Sequence, residues 1–171
     1  GSIRRVHAQG PVADDATYDL TGLFLQAIVQ ATPKVALTLA GRYTWAAADA
    51  DKVEDPVTFG VYNVSDDWDN FSGSVRLSFM PVTDGPWNLF AGVSEAFRAP
   101  NLSDLTRLDT ARSGELETPS PGLNPETYVS WEAGFKFQGE RFAAEAAYFN
   151  TDGTDVIIRT PTGQAIAGLR E

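Results

Sequence analysis

Residues 35–45 alternate strictly: Val35, Leu37, Leu39, Gly41, Tyr43 and Trp45 form one set, and Ala36, Thr38, Ala40, Arg42 and Thr44 the other. A period of two places these sets on opposite faces of a strand, one apolar and one small or polar. The pattern returns at Phe71, Gly73, Val75, Leu77 and Phe79 against Ser72, Ser74, Arg76 and Ser78. It returns again at Val129, Trp131, Ala133, Phe135 and Phe137 against Tyr128, Ser130, Glu132, Gly134 and Lys136. Segments 86–97 and 141–150 alternate less cleanly, with Trp87, Leu89, Ala91 and Val93, and Phe142, Ala144, Ala146 and Tyr148, as their apolar sets. Residues 18–31 are apolar on both sets, which leaves their facing open. The pattern predicts an all-β chain of six strands of roughly 10–14 residues, a length suited to a membrane crossing.

The connections add an asymmetry. "TPK" (32–34), "PVTDGP" (81–86) and "GE" (139–140) are short, while residues 46–68 and 98–126 are long and read as loops. Short and long joins alternate, so an antiparallel up-and-down meander would gather all short turns at one end. Outer-membrane barrels have that asymmetry, with short periplasmic turns and longer extracellular loops. A soluble β-sandwich also alternates apolar and polar positions. Against it, the polar sets carry Arg42, Arg76, Glu132, Lys136, Arg141 and Glu145, which suit a wet lumen better than a sandwich core. The apolar sets end in Tyr43, Trp45, Phe71, Trp87, Trp131 and Tyr148, as interfacial aromatic girdles do.

Composition narrows the chemistry. The 171 residues include no cysteine and one histidine, His7, so thiolate chemistry and His-rich metal sites are not expected. A net charge of -10 argues against a nucleic-acid partner, because phosphate contacts need basic side chains. No apolar run is long enough for a transmembrane helix, and no secretory leader follows Gly1. A chain that opens on "GSIRR" is expected to be processed or part of a longer one. No nucleophile–base pair or phosphate loop is present, so no catalytic residue, cofactor or metal ligand is expected, and the chain does not read as an enzyme.

The stretch "SEAFRAPNLSDL" (94–105), followed by "GLNPETYVSWEAGFKFQGERFAAEAAYFNTDGTDVI" (122–157), resembles the C-terminal barrel region of TonB-dependent outer-membrane receptors. The phrase Phe97, Arg98, Ala99, Pro100, Asn101 and Leu102 corresponds to a strand emerging at the outer surface, and Asn124, Pro125 and Glu126 to the return into the next strand. The likeness covers residues 70–160, and "LFLQAIVQATPKVALTLAGRYTW" resembles an earlier hairpin of such barrels. It implies a partial transmembrane barrel over 1–171, about six strands plus the start of another near residues 156–160. The plug domain and the closing C-terminal strands would lie outside it.

The resemblance further implies energy-coupled uptake of a scarce, bulky nutrient such as a ferric siderophore, cobalamin, haem or glycan. The implied partners are outer-membrane lipid and lipopolysaccharide, that nutrient, and the TonB complex through an N-terminal region beyond this sequence. A small complete outer-membrane barrel and a soluble sandwich binding module are the alternatives.

Within this frame Pro100 and Pro125 read as strand-ending residues that pin a loop to the rim. Arg98, Phe59, Tyr62 and Trp68 are the candidate ligand contacts: a guanidinium for an anion, and aromatic faces for a flat ligand. Packing roles compete for all four. The acidic run Asp49, Asp51, Glu54 and Asp55, with Asp66, Asp67 and Asp69, fits no calcium-loop spacing and reads as solvated loop carboxylates.

Overall fold

The computed structural model describes residues 9–112, 114–163, 165–166 and 169–170. His7 lies outside them. Six strands form one antiparallel sheet in sequence order: β1 (Asp14–Thr32), β2 (Val35–Glu54), β3 (Val61–Phe79), β4 (Trp87–Arg98), β7 (Glu126–Gln138) and β8 (Ala143–Thr154). Between β4 and β7 lie a short helix, α1 (Leu102–Thr106), and the two-residue strands β5 (Asp109–Thr110) and β6 (Leu116–Glu117). A last small pair, β9 (Ala165–Ile166) and β10 (Leu169–Arg170), stands apart from the sheet.

The register fixes which residues share a face. Thr38, Ala40 and Arg42 of β2 oppose Arg76, Ser74 and Ser72 of β3, and Arg76 opposes Gly92 of β4, which in turn opposes Glu132 of β7. Arg42, Arg76, Glu132, Lys136 and Glu145 therefore line one inner face, as the alternation predicts. Arg141 does not; it sits in the turn between β7 and β8. The register also settles β1: Leu23, Leu25, Ala27 and Val29 face outward, while Leu20, Phe24 and Ile28 share the inner face.

The outer face carries an open apolar band. Leu25 is 77% exposed and Phe71 60%. No second sheet covers these side chains among the described residues, which removes the sandwich alternative. Aromatics bound the band. Trp87 contacts Phe137 at 4.7 Å and Phe135 at 5.6 Å near the short turns, and Trp131 contacts Tyr148 at 5.4 Å toward the far end. Above that upper ring the outer positions turn acidic, with Asp19, Asp49, Asp67, Asp69, Glu95 and Asp152. An apolar segment of about 9–11 tilted residues is what a bilayer crossing needs.

The inner face is organised around Phe90, which is only 7% exposed despite its polar surroundings. Gly134 opposes it, and a Cβ there would meet the Phe90 ring at 2.7 Å, so glycine makes the seat. Arg76 lies over the ring at 4.5 Å and Lys136 approaches it at 5.8 Å. Each cation also holds a carboxylate, Glu132 at 3.0 Å and Glu145 at 3.1 Å. The charges around Phe90 neutralise one another in pairs.

Two further expectations need correction. Residues 46–68 are not a long loop: β2 and β3 continue through most of it, with a bulge between Ala50 and Val53, and only 55–60 form the turn. Residues 156–160 do not begin a strand; β8 ends at Thr154, and Asp155 takes φ 54°. The turns 33–34, 80–86 and 139–142 gather at one end, and the hairpin tip and the 99–125 segment at the other.

Candidate functional site

The 99–125 segment is folded back against the inner face of the extended β1–β2–β3 sheet. Proline 100 has no N–H for a ladder, so β4 stops there. Asn101 then caps α1, its side chain accepting from the Asp104 N–H at 3.0 Å while Asp104 accepts from the Asn101 N–H at 3.0 Å. This reciprocal box satisfies two donors that a helix start leaves unpaired. The alternate residues Ala46, Ala48 and Ala50 on the strand face beneath are small, which lets the helix lie close. Leu105, fully buried, packs among Ala13, Ala48, Ala50, Val53 and Val64. Burying such a leucine contributes about 1.5–3 kcal/mol.

Polar contacts fix the register of this cap. Thr106 Oγ1 accepts from the Ala13 N–H at 3.1 Å and donates to the Leu102 carbonyl at 2.8 Å. Gln9 Nε2 donates to the Thr106 carbonyl, while its Oε1 accepts from the Glu54 N–H. Gly10 and Leu108 exchange two backbone hydrogen bonds. Trp68 Nε1 donates to the Leu123 carbonyl at 3.1 Å, and Gly122 N–H donates to Asp66 at 3.2 Å.

Arg98 joins the two ends of the segment. Its Nε and Nη2 donate to the two oxygens of Glu126, at 2.5 and 3.2 Å, and its Nη1 donates to Asp104 at 2.9 Å. Glu126, 3% exposed, also accepts from the Tyr128 hydroxyl at 2.8 Å and from the Ile157 N–H at 2.7 Å. These groups stand beyond the apolar band. The Arg98 guanidinium and the other donors outweigh the cost of burial and hold the Glu126 carboxyl down at about 2.

A half-open cavity of about 600 Å³ lies between this cap and the chain after β8. Arg107 and Arg159 both turn toward Glu117 there, Arg159 at 3.0 Å. Ser103, Ser120 and Thr160 add hydroxyls to its wall. The volume lies in the range of small-molecule sites, and the lining mixes the Glu117-paired Arg107 and Arg159 with the carboxylates Asp104 and Glu115.

The four residues singled out as ligand contacts are not brought together. Arg98 is engaged by Glu126 and Asp104. Tyr62 and Trp68 pack against the buried cluster beneath α1. Phe59 stands at the hairpin tip with φ 57°, 52% exposed, in a turn closed by Asp55, whose carboxylate accepts from the Val57 and Thr58 N–H groups. Of the motif residues, Ala99 and Pro100 are buried, Phe97 faces outward opposite Thr127, and Asn124 and Pro125 lead into β7. The acidic run is dispersed: Asp66 serves Gly122 and Asp69 the Tyr43 hydroxyl. Of the cavity wall, Ser103, Asp104 and Ile157 fall within the stretches that carry the family resemblance, whereas no motif marks Arg107, Glu117 or Arg159.

The family described as TonB dependent receptor-like, beta-barrel, matches residues 4–170. The chain belongs to that family. Solved relatives show the same fold for this part of the receptor barrel. A structure titled "Copper transporter OprC" superposes with TM-score 0.65 at 21% identity, covering 82% of this chain and 22% of its own. A haemophore receptor of Serratia marcescens, HasR, solved as a double mutant with its haemophore HasA and haem, superposes with TM-score 0.67 at 19% identity, covering 86% of this chain and 27% of its own. This receptor segment thus spans about a quarter of those two chains. Curated proteins give no match by sequence.

Proposed function

We propose that these residues form wall and outer loops of a TonB-dependent transporter that takes up a scarce, bulky nutrient across the bacterial outer membrane. The nutrient class is a metal chelate, cobalamin, haem or glycan, and the chain does no covalent chemistry. Energy would come from the TonB complex acting on regions outside this sequence. One observation supports the reading most: within a chain of this family, the 99–125 segment is a packed cap that walls a polar cavity of about 600 Å³ at the long-loop end. A preformed cavity spares a ligand the cost of ordering the loop around it.

The test is a deletion of the gene encoding the full-length receptor, followed by growth under iron, copper, cobalamin or glycan limitation. The expected outcome is a defect on one of these nutrients alone, reproduced by collapsing the proton-motive force. The receptor should fractionate with outer membranes and migrate faster on gels before heating than after it. Recovery as a soluble periplasmic monomer would overturn the reading.

A further inference from the structure

The sheet forks toward its long-loop end. Pairing between β3 and β4 stops at Ser74–Ser94, while β3 continues along β2 to Val61 and β4 continues along β7 to Arg98. Both neighbours of β3 lie within this chain, so the free edge from Val61 to Gly73 is a property of the sheet itself. No backbone hydrogen bond from another segment closes that edge among the described residues. The 99–125 cap leaves it open, because the cap meets β3 on the inner face, through Val64, Asp66 and Trp68. Alternate residues of such an edge offer N–H and C=O groups to any strand that comes alongside. Natural edges are commonly blunted with lysine or proline. This one has neither between Val61 and Gly73, and its only charges are Asp66, Asp67 and Asp69.

We propose that this edge pairs with an extended, basic segment of a partner protein at the cell surface, which adds to the sheet as an extra strand. The inference rests on the outer-membrane reading above. Charge selects the partner. Asp66 faces inward and is engaged by the Gly122 N–H. Asp67 and Asp69 lie two residues apart on the outer face, and Glu95 stands on the same face across the fork. Asp69 accepts from the Tyr43 hydroxyl, and none of the three has an ion-pair partner among the described residues. Basic side chains at alternate positions of an added strand would fall opposite Asp67 and Asp69, where opposite charges stabilise a pair and like charges destabilise it. A second copy of this edge would set aspartate against aspartate, so the charges select against self-pairing. The backbone groups supply affinity that is blind to side chains, and the aspartates supply the preference.

Fluorescence anisotropy with the full-length receptor in lipid nanodiscs tests both parts, using a labelled peptide of alternating lysine and threonine. The peptide should bind the wild-type receptor, and its counterpart of alternating glutamate and threonine should not. N-methylation of the peptide's backbone amides keeps every charge but removes the donors, and should weaken binding at least about tenfold. Asp67→Asn with Asp69→Asn, which keeps an acceptor for the Tyr43 hydroxyl, should weaken it about tenfold. Asp67→Lys with Asp69→Lys should reverse the preference toward the glutamate peptide. Asp152→Asn, on the outer face of β8 away from the fork, should change nothing. Heat-modifiable gel mobility confirms that each variant is folded. No binding by wild type, equal binding of the methylated peptide, indifference to the Asp67 and Asp69 variants, or receptor dimers joined through β3 would each overturn the proposal. Failure to find the receptor in the outer membrane would instead remove the proposed function itself.

Discussion

Arg98 and Glu126 show what a single residue pair contributes at the rim. The sequence separates them by the whole 99–125 segment, yet β4 and β7 pair them directly, and Asp104 and Ile157 join the same node. Glu126 ties the end of β4, the start of β7 and the chain after β8 to one carboxylate. Replacing it with glutamine removes the charge that Arg98 faces. The expected loss is about 1–3 kcal/mol of local opening free energy. Hydrogen exchange at the Ile157 amide in the full-length receptor would read it as a roughly five- to 150-fold drop in protection. The pH dependence has a definite sign. The folded carboxyl titrates near 2 against an ordinary 4.5, so the opened state binds more protons between those values. Protection should be complete above about pH 5 and fall as pH drops from 4.5 toward 2, and the glutamine variant should lack that dependence. Part of this was legible: the motif located Arg98, Pro100 and Glu126 at strand ends. Their partnership was not, because nothing in local sequence ties residues this far apart.

At the scale of elements, the β2–β3 hairpin and its helical cap depend on each other. Residues 46–54 were read as loop because alanine and aspartate favour strands poorly and the clear apolar alternation stops at Trp45. Tertiary packing overrides that preference. Alanines on the inner face meet Leu105 and Leu102, while Ala47, Asp49 and Asp51 face outward to solvent. The alternation was there, written in alanine and aspartate. A large residue at a buried alanine should therefore lift the cap without disturbing the barrel wall. Ala50→Phe, at a fully buried position, should cost about 1–3 kcal/mol of docking by overpacking. Limited proteolysis should then cut within 107–120 at least about fivefold faster, with unchanged heat-modifiable gel mobility. Equal cleavage rates would mean that the cap is held by its polar ties alone. The misread segment 156–160 has the opposite cause: its apolar residues suggest a strand, but Glu126 takes the Ile157 N–H that a ladder would need.

For the whole molecule, the period-two pattern carried most of the fold: strand number, order, the face of each charge outside β1 except Arg141, and the end that bears the long segments. It could not orient β1, because a strand with Leu23 and Leu25 on one face and Leu20, Phe24 and Ile28 on the other has no polar set. Only the hydrogen-bond register decides, and a slip of one residue would exchange the faces. The bilayer makes that register testable with one pair of substitutions at the same depth. Leu39 faces outward in the middle of the apolar band, and its neighbour Ala40 faces the inner wall. Leu39→Lys should destabilise the folded receptor by about 2–4 kcal/mol, the cost of a basic residue on the lipid face near the midplane. Ala40→Lys adds a charge to a wall already built of paired charges, so it should stay within about 0.5 kcal/mol of wild type. Urea unfolding of the full-length receptor in lipid vesicles, followed by gel mobility, compares the two. Equal losses would mean that the inner wall is as dry as the outer face, and the assignment of a wetted lumen to the Arg76, Glu132 and Lys136 side would fail.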